Sequence, residues 1–418
     1  MDQIRHLALN SRKLPWEQRV ETVITLRDEL LREKEEDLTT ISSFDEFEKW
    51  LDPKITAKVK FGFIESIGCN GVLCKEPCNK GETVFSVPRD CMMAVEDVYR
   101  GFSSAFLTKA SQSDILLQRM PMLVLALYIL EEHAKGAASK FHAYLNILPR
   151  CFGDLPLMWT KETFLALDGT FVADVAIERV VDSILYFVHL NGLVVSEYPT
   201  FSYQRFLWAL GLVMTRQNPL PLADDPSTMG LAMIPVFDMC NHEVGTLTSS
   251  YDTDEKLLSC AAMDDCDAND EFRICYGKRT NSDLLVYSGF MLDRNPFDTL
   301  LVDLVGLLNR DDPLLKMKEL ILKKSPRWIV VHPERDQAMT ISRIAVGDKD
   351  MLATQLRNSH GHGTLMGEYH SEENEKLATC WLASRIQDII AERSSRSCQG
   401  IASQVLTNDL YKLSLVHF

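Results

Sequence analysis

Asp238-Met239-Cys240-Asn241-His242 and, farther along the chain, Tyr276-Gly277 bring a carboxylate, an amide, an imidazole and a phenol to the ends of two apolar runs. Pro235-Val236-Phe237 leads into the first group, and Phe272-Arg273-Ile274-Cys275-Tyr276 alternates like a short strand stopped by Gly277. A few polar groups converging on an apolar wall is how small-molecule sites are usually built. The same residue types also serve as hydrogen-bonded core positions, and a Tyr at a strand end is more often structural than catalytic. Asp238 and His242 could be two ligands of a hydrolytic metal, but no convincing third ligand accompanies them.

The elements that must position these groups follow from periodicity. Trp16, Val20, Val23, Ile24, Leu30 and Leu31 mark one face of an amphipathic helix. The run Arg32-Glu33-Lys34-Glu35-Glu36-Asp37 is a solvated surface, with Phe44, Phe47 and Trp50 beyond it as docking residues. From about residue 55 short strands are expected at Phe61-Gly62-Phe63-Ile64, Gly71-Val72-Leu73 and Thr83 to Pro88. Helices then take over: Ile115 to His133 with Pro121 early in it, Lys140 to Leu148, and roughly Tyr203 to Thr215, which Asn218-Pro219 is expected to end. Strand character returns after residue 230, and beyond about 293 the chain reads as an all-α domain, most clearly from Glu372 to Arg393 with Ile389 and Ile390 among its apolar positions. A helical block between strands of one sheet reads as an inserted subdomain, because connections within a sheet are normally short. The expected organisation is therefore α+β: residues 1–50 a helical cap, 51–292 a β-rich domain with a helical insert at about 95–215, and 293–418 a helical domain.

Composition bounds the function. The chain of 418 residues, 46% hydrophobic, is long enough for more than one core. A net charge of −15 without runs of Lys and Arg argues against nucleic acid as a partner. The 11 cysteines show no paired C-x2-C framework and fit reduced thiols. Cys69-x4-Cys74-x3-Cys78 and the loop Ser359-His360-Gly361-His362-Gly363 lack the further ligands of a zinc site. No signal peptide is expected in residues 1–30, and the apolar stretch Met120 to Leu130 is too short to span a bilayer. A cytoplasmic protein is expected, with nuclear entry open.

Taken in order, these pieces resemble the SET-domain protein methyltransferases of the Rubisco-large-subunit-methyltransferase-like group. The likeness spans roughly residues 45–292. It rests on Val87-Pro88-Arg89, Ser139-Lys140-Phe141-His142-Ala143-Tyr144-Leu145 to Leu148-Pro149, Met214-Thr215-Arg216-Gln217-Asn218, Ile234 to His242, and Tyr276 to Asn281 leading to Ser288-Gly289-Phe290. Residues 293–418 are similar, more weakly, to the group's C-terminal substrate-binding domain. The Met-Thr-Arg-Gln-Asn run and Asp-Met-Cys-Asn-His are similar to the histidine-directed members that act on actin, whereas lysine-directed members usually carry an apolar or aromatic residue where Asn218 stands.

The resemblance implies a metal-free methyl transfer from S-adenosyl-L-methionine to a protein substrate, actin or an actin-like protein, by a monomer. It implies that Arg216, Asp238, Asn241, His242, Tyr276 and Ser288 contact the cofactor, with backbone groups around Gly68 and Asn70. Tyr276 would orient the nucleophile, and Asn218 would hydrogen-bond a substrate imidazole. Ile234, Phe237 and Ile274 would wall the slot, with Gln217 and Arg279 holding the flanking peptide. Lysine at a pKa of about 10.4 must lose a proton before attack at pH 7, a cost of about 4.6 kcal/mol, whereas histidine near 6.5 is already mostly neutral. For histidine the harder task is choosing between two ring nitrogens, which a fixed polar partner can do. The alternatives are a lysine-directed enzyme of the same group and a non-catalytic peptide-binding module. Departures from the group's pattern are Cys69-Asn70-Gly71 in place of Gly-x-Gly, Phe237 in place of a tryptophan, and no counterpart near Thr39 to Ser43 of an arginine used on the cofactor.

Overall fold

A computed structural model describes residues 1–32, 44–51, 55–302, 306–322, 329–331, 337–358 and 371–395. The charged run after Arg32, the segment Thr39 to Ser43 and the His360/His362 loop lie outside the described residues, as do the side chains of Ile389 and Ile390. The chain divides into two compact units, Met1–Lys161 with Ala176–Asn295, and Glu162–Val175 with Pro296–Phe418.

In the first unit Thr83–Pro88 and Leu257–Ala261 form the middle of a four-stranded antiparallel sheet, flanked by Thr56–Ala57 and Ser249–Asp252. Val59–Ile64 and Cys69–Cys74 make a hairpin with Gly62 opposite Gly71. Met229–Met233 pairs on one side with Met93–Ala94 and on the other with Gln217–Pro221. The expected strands at residues 61–64, 71–73 and 83–88 all fall within these.

Helices occupy the chain inside the last of these groups, between Met93–Ala94 and Gln217–Pro221. Ile115 to His133 is two helices, Ile115–Arg119 and Pro121–Ala134, because Pro121 lacks the N–H needed to continue the first and sits instead at the start of the second. Leu123 through Ile129 are all buried, as expected of a helix apolar all round. Against it packs Tyr203–Arg216, capped by Ser202 on the Arg205 N–H. That helix ends at Arg216, earlier than Asn218-Pro219 would enforce. Gln217–Pro221 is an edge strand, where the missing N–H groups of Pro219 and Pro221 are tolerated. Strand character therefore resumes well before residue 230.

The second unit has its own core, with Leu308, Ile321, Leu322, Ile341, Ile344, Leu352 and Leu382 clustered from helices Leu315–Leu322, Gln337–Val346, Lys349–Asn358 and Glu372–Ser395. It is not wholly helical, since Leu300–Val302 pairs antiparallel with Ile329–Val331. Three-residue strands carry too little alternation to stand out in a sequence.

Gly211, in the helix that ends at Arg216, has the Phe152 ring where a Cβ would go, at 2.5 Å, whereas Gly192 in helix Phe171–Val194 has open space. Gly211→Ala should cost about 1–3 kcal/mol by overpacking, and Gly192→Ala should gain about 0.5–1 kcal/mol from helix propensity. Urea unfolding of the two variants checks this, the expected result being shifts of opposite sign.

Candidate active site

Strand Cys69–Cys74 has two neighbours. On one side is its hairpin partner; on the other the Phe272 N–H donates to Val72 O at 2.7 Å and Leu73 bridges to Glu271. The chain then runs into Arg273–Ile274, which pairs in parallel with Asn241–His242, Arg273 opposite Asn241 and Ile274 opposite His242. Glu271 ties this ladder together, accepting from Asn241 Nδ2 at 2.7 Å and from Arg273 Nε at 2.7 Å. The Asn241 amide also donates to Asn70 O at 3.4 Å. This approach needs Gly71, because a Cβ there would lie 2.9 Å from Asn241 Nδ2 and from Ile64. Cys69, standing where the group's first glycine would be, is exposed, with its thiol 3.9 Å from Asn241 Oδ1. The turn before it uses Gly68 at φ +68°.

His242 and Tyr276 lock each other. The Tyr276 backbone N–H donates to His242 Nδ1 at 3.1 Å, so that nitrogen carries a lone pair and the neutral ring holds its proton on Nε2. Ile274 O lies farther from Nδ1, at 3.4 Å. Burial lowers the His242 pKa further. The two rings stack with centroids 4.9 Å apart, and Phe290 closes against both at 6.2 and 6.4 Å. The Tyr276 hydroxyl donates to Cys240 O at 2.7 Å. Burial pushes this phenol well above its ordinary pKa, so it stays protonated and its oxygen offers lone pairs, not a base.

Arg216 and Asp238 form the next layer. Arg216 Nη1 donates to Asp238 O at 2.6 Å, and the Asp238 carboxylate accepts from the Tyr144 hydroxyl. Tyr144 is fully buried against Phe47 and Trp50 of helix Phe44–Leu51, and Trp50 Nε1 donates to Lys140 O at 2.8 Å. Two of the three aromatics expected as docking residues, Phe47 and Trp50, thus reach the site through Tyr144, while Phe44 stacks on Phe61 of the hairpin. Just before Asp238, Val236 has φ 70°, a conformation costly for a β-branched residue, on the order of 1–3 kcal/mol. Asp238 Oδ1, Arg216 Nε and Gln217 Oε1 are buried without a hydrogen-bond partner. An acceptor, a donor and an acceptor left unsatisfied, two on adjacent residues and the third on the residue whose carbonyl Arg216 holds, fit a ligand carrying both an ammonium and a carboxylate.

The remaining expected residues divide. Asn218 lies on the edge strand opposite Ala232, and its amide donates to Arg216 O at 3.0 Å, leaving its second N–H and its carbonyl without a partner among the described residues. Arg279 is exposed, its Nε on Tyr276 O at 3.1 Å. Ile274 and Phe237 are nearly covered, and the Phe237 ring meets Phe85 edge-on. Ile234 has no exposed surface at all and belongs to the core, not to a wall. Ser288 ends helix Asn281–Ser288 two residues before Phe290 and makes no hydrogen bond among the described residues. Glu271, Tyr144 and Phe290 were not anticipated as site residues. The alternation of Glu271 with Arg273 was the one available signal for the first of them.

Solved structures with this architecture include "Structure of Rubisco LSMT bound to AdoMet", at TM-score 0.65 and 17% identity over 90% of this chain and 91% of that one. The "SET domain of LSMT bound to Lysine and AdoHcy" matches at TM-score 0.65 and 17% identity over 88% and 89%. The chain has the SET-domain fold of the Rubisco LSMT type. No family model matches the SET-domain chain. Among curated proteins it is 33% identical over 257 residues to the actin-histidine N-methyltransferase of Mus musculus and 32% identical to that of Homo sapiens. Each match takes in 59% of this chain and 41% of the relative, so the matched region spans about two-fifths of those proteins' length. Among the described residues of the SET-domain chain, no cluster of His, Cys, Asp or Glu could hold a metal ion and no helix is long and apolar enough to cross a membrane.

Burial raises the Asp238 pKa from 3.8 to about 6, against the opposing pull of Arg216 and the Tyr144 hydrogen bond. The folded state then holds more protons than the unfolded state between those values, so this carboxyl lowers stability as pH rises from about 4 to above 6, by about 3 kcal/mol in all. Asp238→Asn, which keeps an acceptor for Tyr144, should be more stable than the wild type at pH 7 by about that amount, the gain shrinking toward zero below pH 4. Urea unfolding at several pH values reads it; an offset independent of pH would contradict the assignment.

Proposed function

We propose that the chain is an S-adenosylmethionine-dependent protein-histidine N-methyltransferase acting on actin or an actin-like protein. The observation that carries this reading is the linked set in which His242 is bonded to Tyr276, its strand neighbour Asn241 to Glu271, and Arg216 to Asp238, with a half-committed Asn218 amide on the strand that follows Arg216. The names of the curated relatives support it.

S-adenosylmethionine would supply an electrophilic methyl on a sulfonium; a nitrogen lone pair forms the new N–C bond as the C–S bond breaks and the thioether leaves with its electron pair. The protein's work is alignment. Arg216 and Asp238 hold a zwitterionic amino-acid group through the atoms now unsatisfied, and Asn70 and Gly68 supply backbone groups beside it. Asn241, fixed by Glu271, keeps the wall in register. Tyr276, its proton given to Cys240 O, presents oxygen lone pairs toward the incoming group and cannot take up a proton itself. The unpartnered carbonyl oxygen of Asn218 accepts from one imidazole N–H, which selects the tautomer whose other nitrogen has a lone pair for the methyl. Gln217 and Arg279 flank this position for the adjoining peptide. Where lysine must first be deprotonated, a neutral histidine needs only this orientation.

The test is to incubate the full chain with methyl-labelled cofactor and actin and map the label by mass spectrometry. Label on a histidine is expected; label confined to lysine gives the site to a lysine-directed enzyme, and cofactor binding without label makes it a binding module. Tyr276→Phe should lower turnover about 100-fold with cofactor affinity nearly unchanged. Asn218→Ala, losing one hydrogen bond to substrate, should reduce kcat/KM about 10-fold. Full activity in both variants would remove these residues from the reaction.

A further inference from the structure

A cavity of about 1080 Å3 lies in the first unit and shares no lining residue with the candidate active site. Its walls are the end of strand Thr83–Pro88 with Arg89, the helix Pro121–Ala134, the turn between Ser249–Asp252 and Leu257–Ala261, and the connection that follows Pro221. This volume is that of a pocket for a sizeable organic group.

At its floor stands Tyr128. The side chain is 1% exposed, and its ring meets Phe141 edge-on at 6.4 Å. Its hydroxyl has no hydrogen-bond partner among the described residues, although a buried tyrosine hydroxyl normally finds one. The field around it is negative, the carboxylates of Asp97, Glu132 and Glu131 outweighing Arg89. These acids are fixed in place: Arg89 Nη2 donates to Asp97 at 2.7 Å and to Glu96 at 3.2 Å, and Glu132 accepts from Ser139 Oγ at 2.5 Å.

Carboxylates outnumber cationic side chains in the whole lining, seven to five. Asp254 and Glu255, at the hairpin turn, have no ion pair among the described residues; of the cations, Lys256 and Lys140 likewise lack a carboxylate, and the Lys140 ammonium sits 4.6 Å over the Phe141 ring. At the mouth Phe102 is 68% exposed, a large aromatic surface in water beside the acidic turn. An unpaired hydroxyl in a negative floor, an acidic turn and an exposed ring complement an ammonium or guanidinium on an apolar stem.

We propose that this cavity is a docking site for a basic segment of a protein partner. A lysine or arginine side chain enters to donate to the Tyr128 hydroxyl oxygen, an apolar neighbour covers Phe102, and a second cationic residue meets Asp254 and Glu255. No bond to carbon is made or broken there, and the site is independent of the methyl-transfer reading.

The test is fluorescence anisotropy with the full chain at low salt, using a labelled peptide of alternating lysine and leucine, the same peptide with glutamate for lysine, and spermidine as a competitor. The lysine peptide should bind and the glutamate peptide should not. Tyr128→Phe should weaken binding about 5-fold with Tm unchanged, since the hydroxyl serves no described protein partner. Asp254→Lys combined with Glu255→Lys should weaken it about 10-fold, less at high salt. Absent saturable binding, equal binding of the glutamate peptide, or affinity untouched by both variants would overturn the proposal. Spermidine competing as tightly as the peptide would overturn the assignment to a protein segment.

Discussion

Asn241–His242 and Arg273–Ile274 lie side by side in a parallel ladder only two residues long. Parallel pairing is slightly weaker per residue than antiparallel, and so short a ladder cannot hold itself. Side chains do the holding. Glu271 joins Asn241 to Arg273, and His242 Nδ1 takes the Tyr276 N–H, so each strand is fastened to the other at both ends. Without those bonds the ladder is left with the Glu243 N–H on Ile274 O and the Tyr276 hydroxyl on Cys240 O.

That constraint sets the chemistry. A phenol whose proton is spent on Cys240 O and whose pKa is raised by burial can orient a nucleophile but not deprotonate one. On the proposed reading the acceptor arrives neutral, as most histidine and little lysine is at pH 7. The polar atoms left unsatisfied at Asp238, Arg216 and Gln217 cost about 1–3 kcal/mol each while unpaired, a penalty that a zwitterionic ligand would relieve. Together with the positive φ at Val236, they mark this as the part of the chain where local rules are broken.

The polar clusters were legible in the sequence because carboxylate, amide and imidazole interrupt apolar runs, and the three strands from residue 61 to 88 because Gly and Pro punctuate them. What joins the clusters was not legible. A parallel ladder between residues so far apart leaves no local trace, and Glu271 is one acidic residue among many until Asn241 is placed beside it. Asn218-Pro219 reads as a helix stop by proline sterics, yet pairing with Ala232 and Leu231 makes it an edge strand. Ile234 has the type of a pocket wall, but complete burial assigns it to the core. Tyr144 was visible only as part of a motif; its bond to Asp238 depends on how the inserted helices fold back.

Glu271, by joining Asn241 to Arg273, holds the site in register. Calorimetric titration of S-adenosylmethionine into the full chain and into Glu271→Ala tests it most directly. One cofactor bound per wild-type chain is expected, with affinity reduced about 10-fold or more in the variant, the loss of roughly 1.4 kcal/mol or more of positioning. No saturable binding by the wild type, or equal affinity in the folded variant, would contradict it.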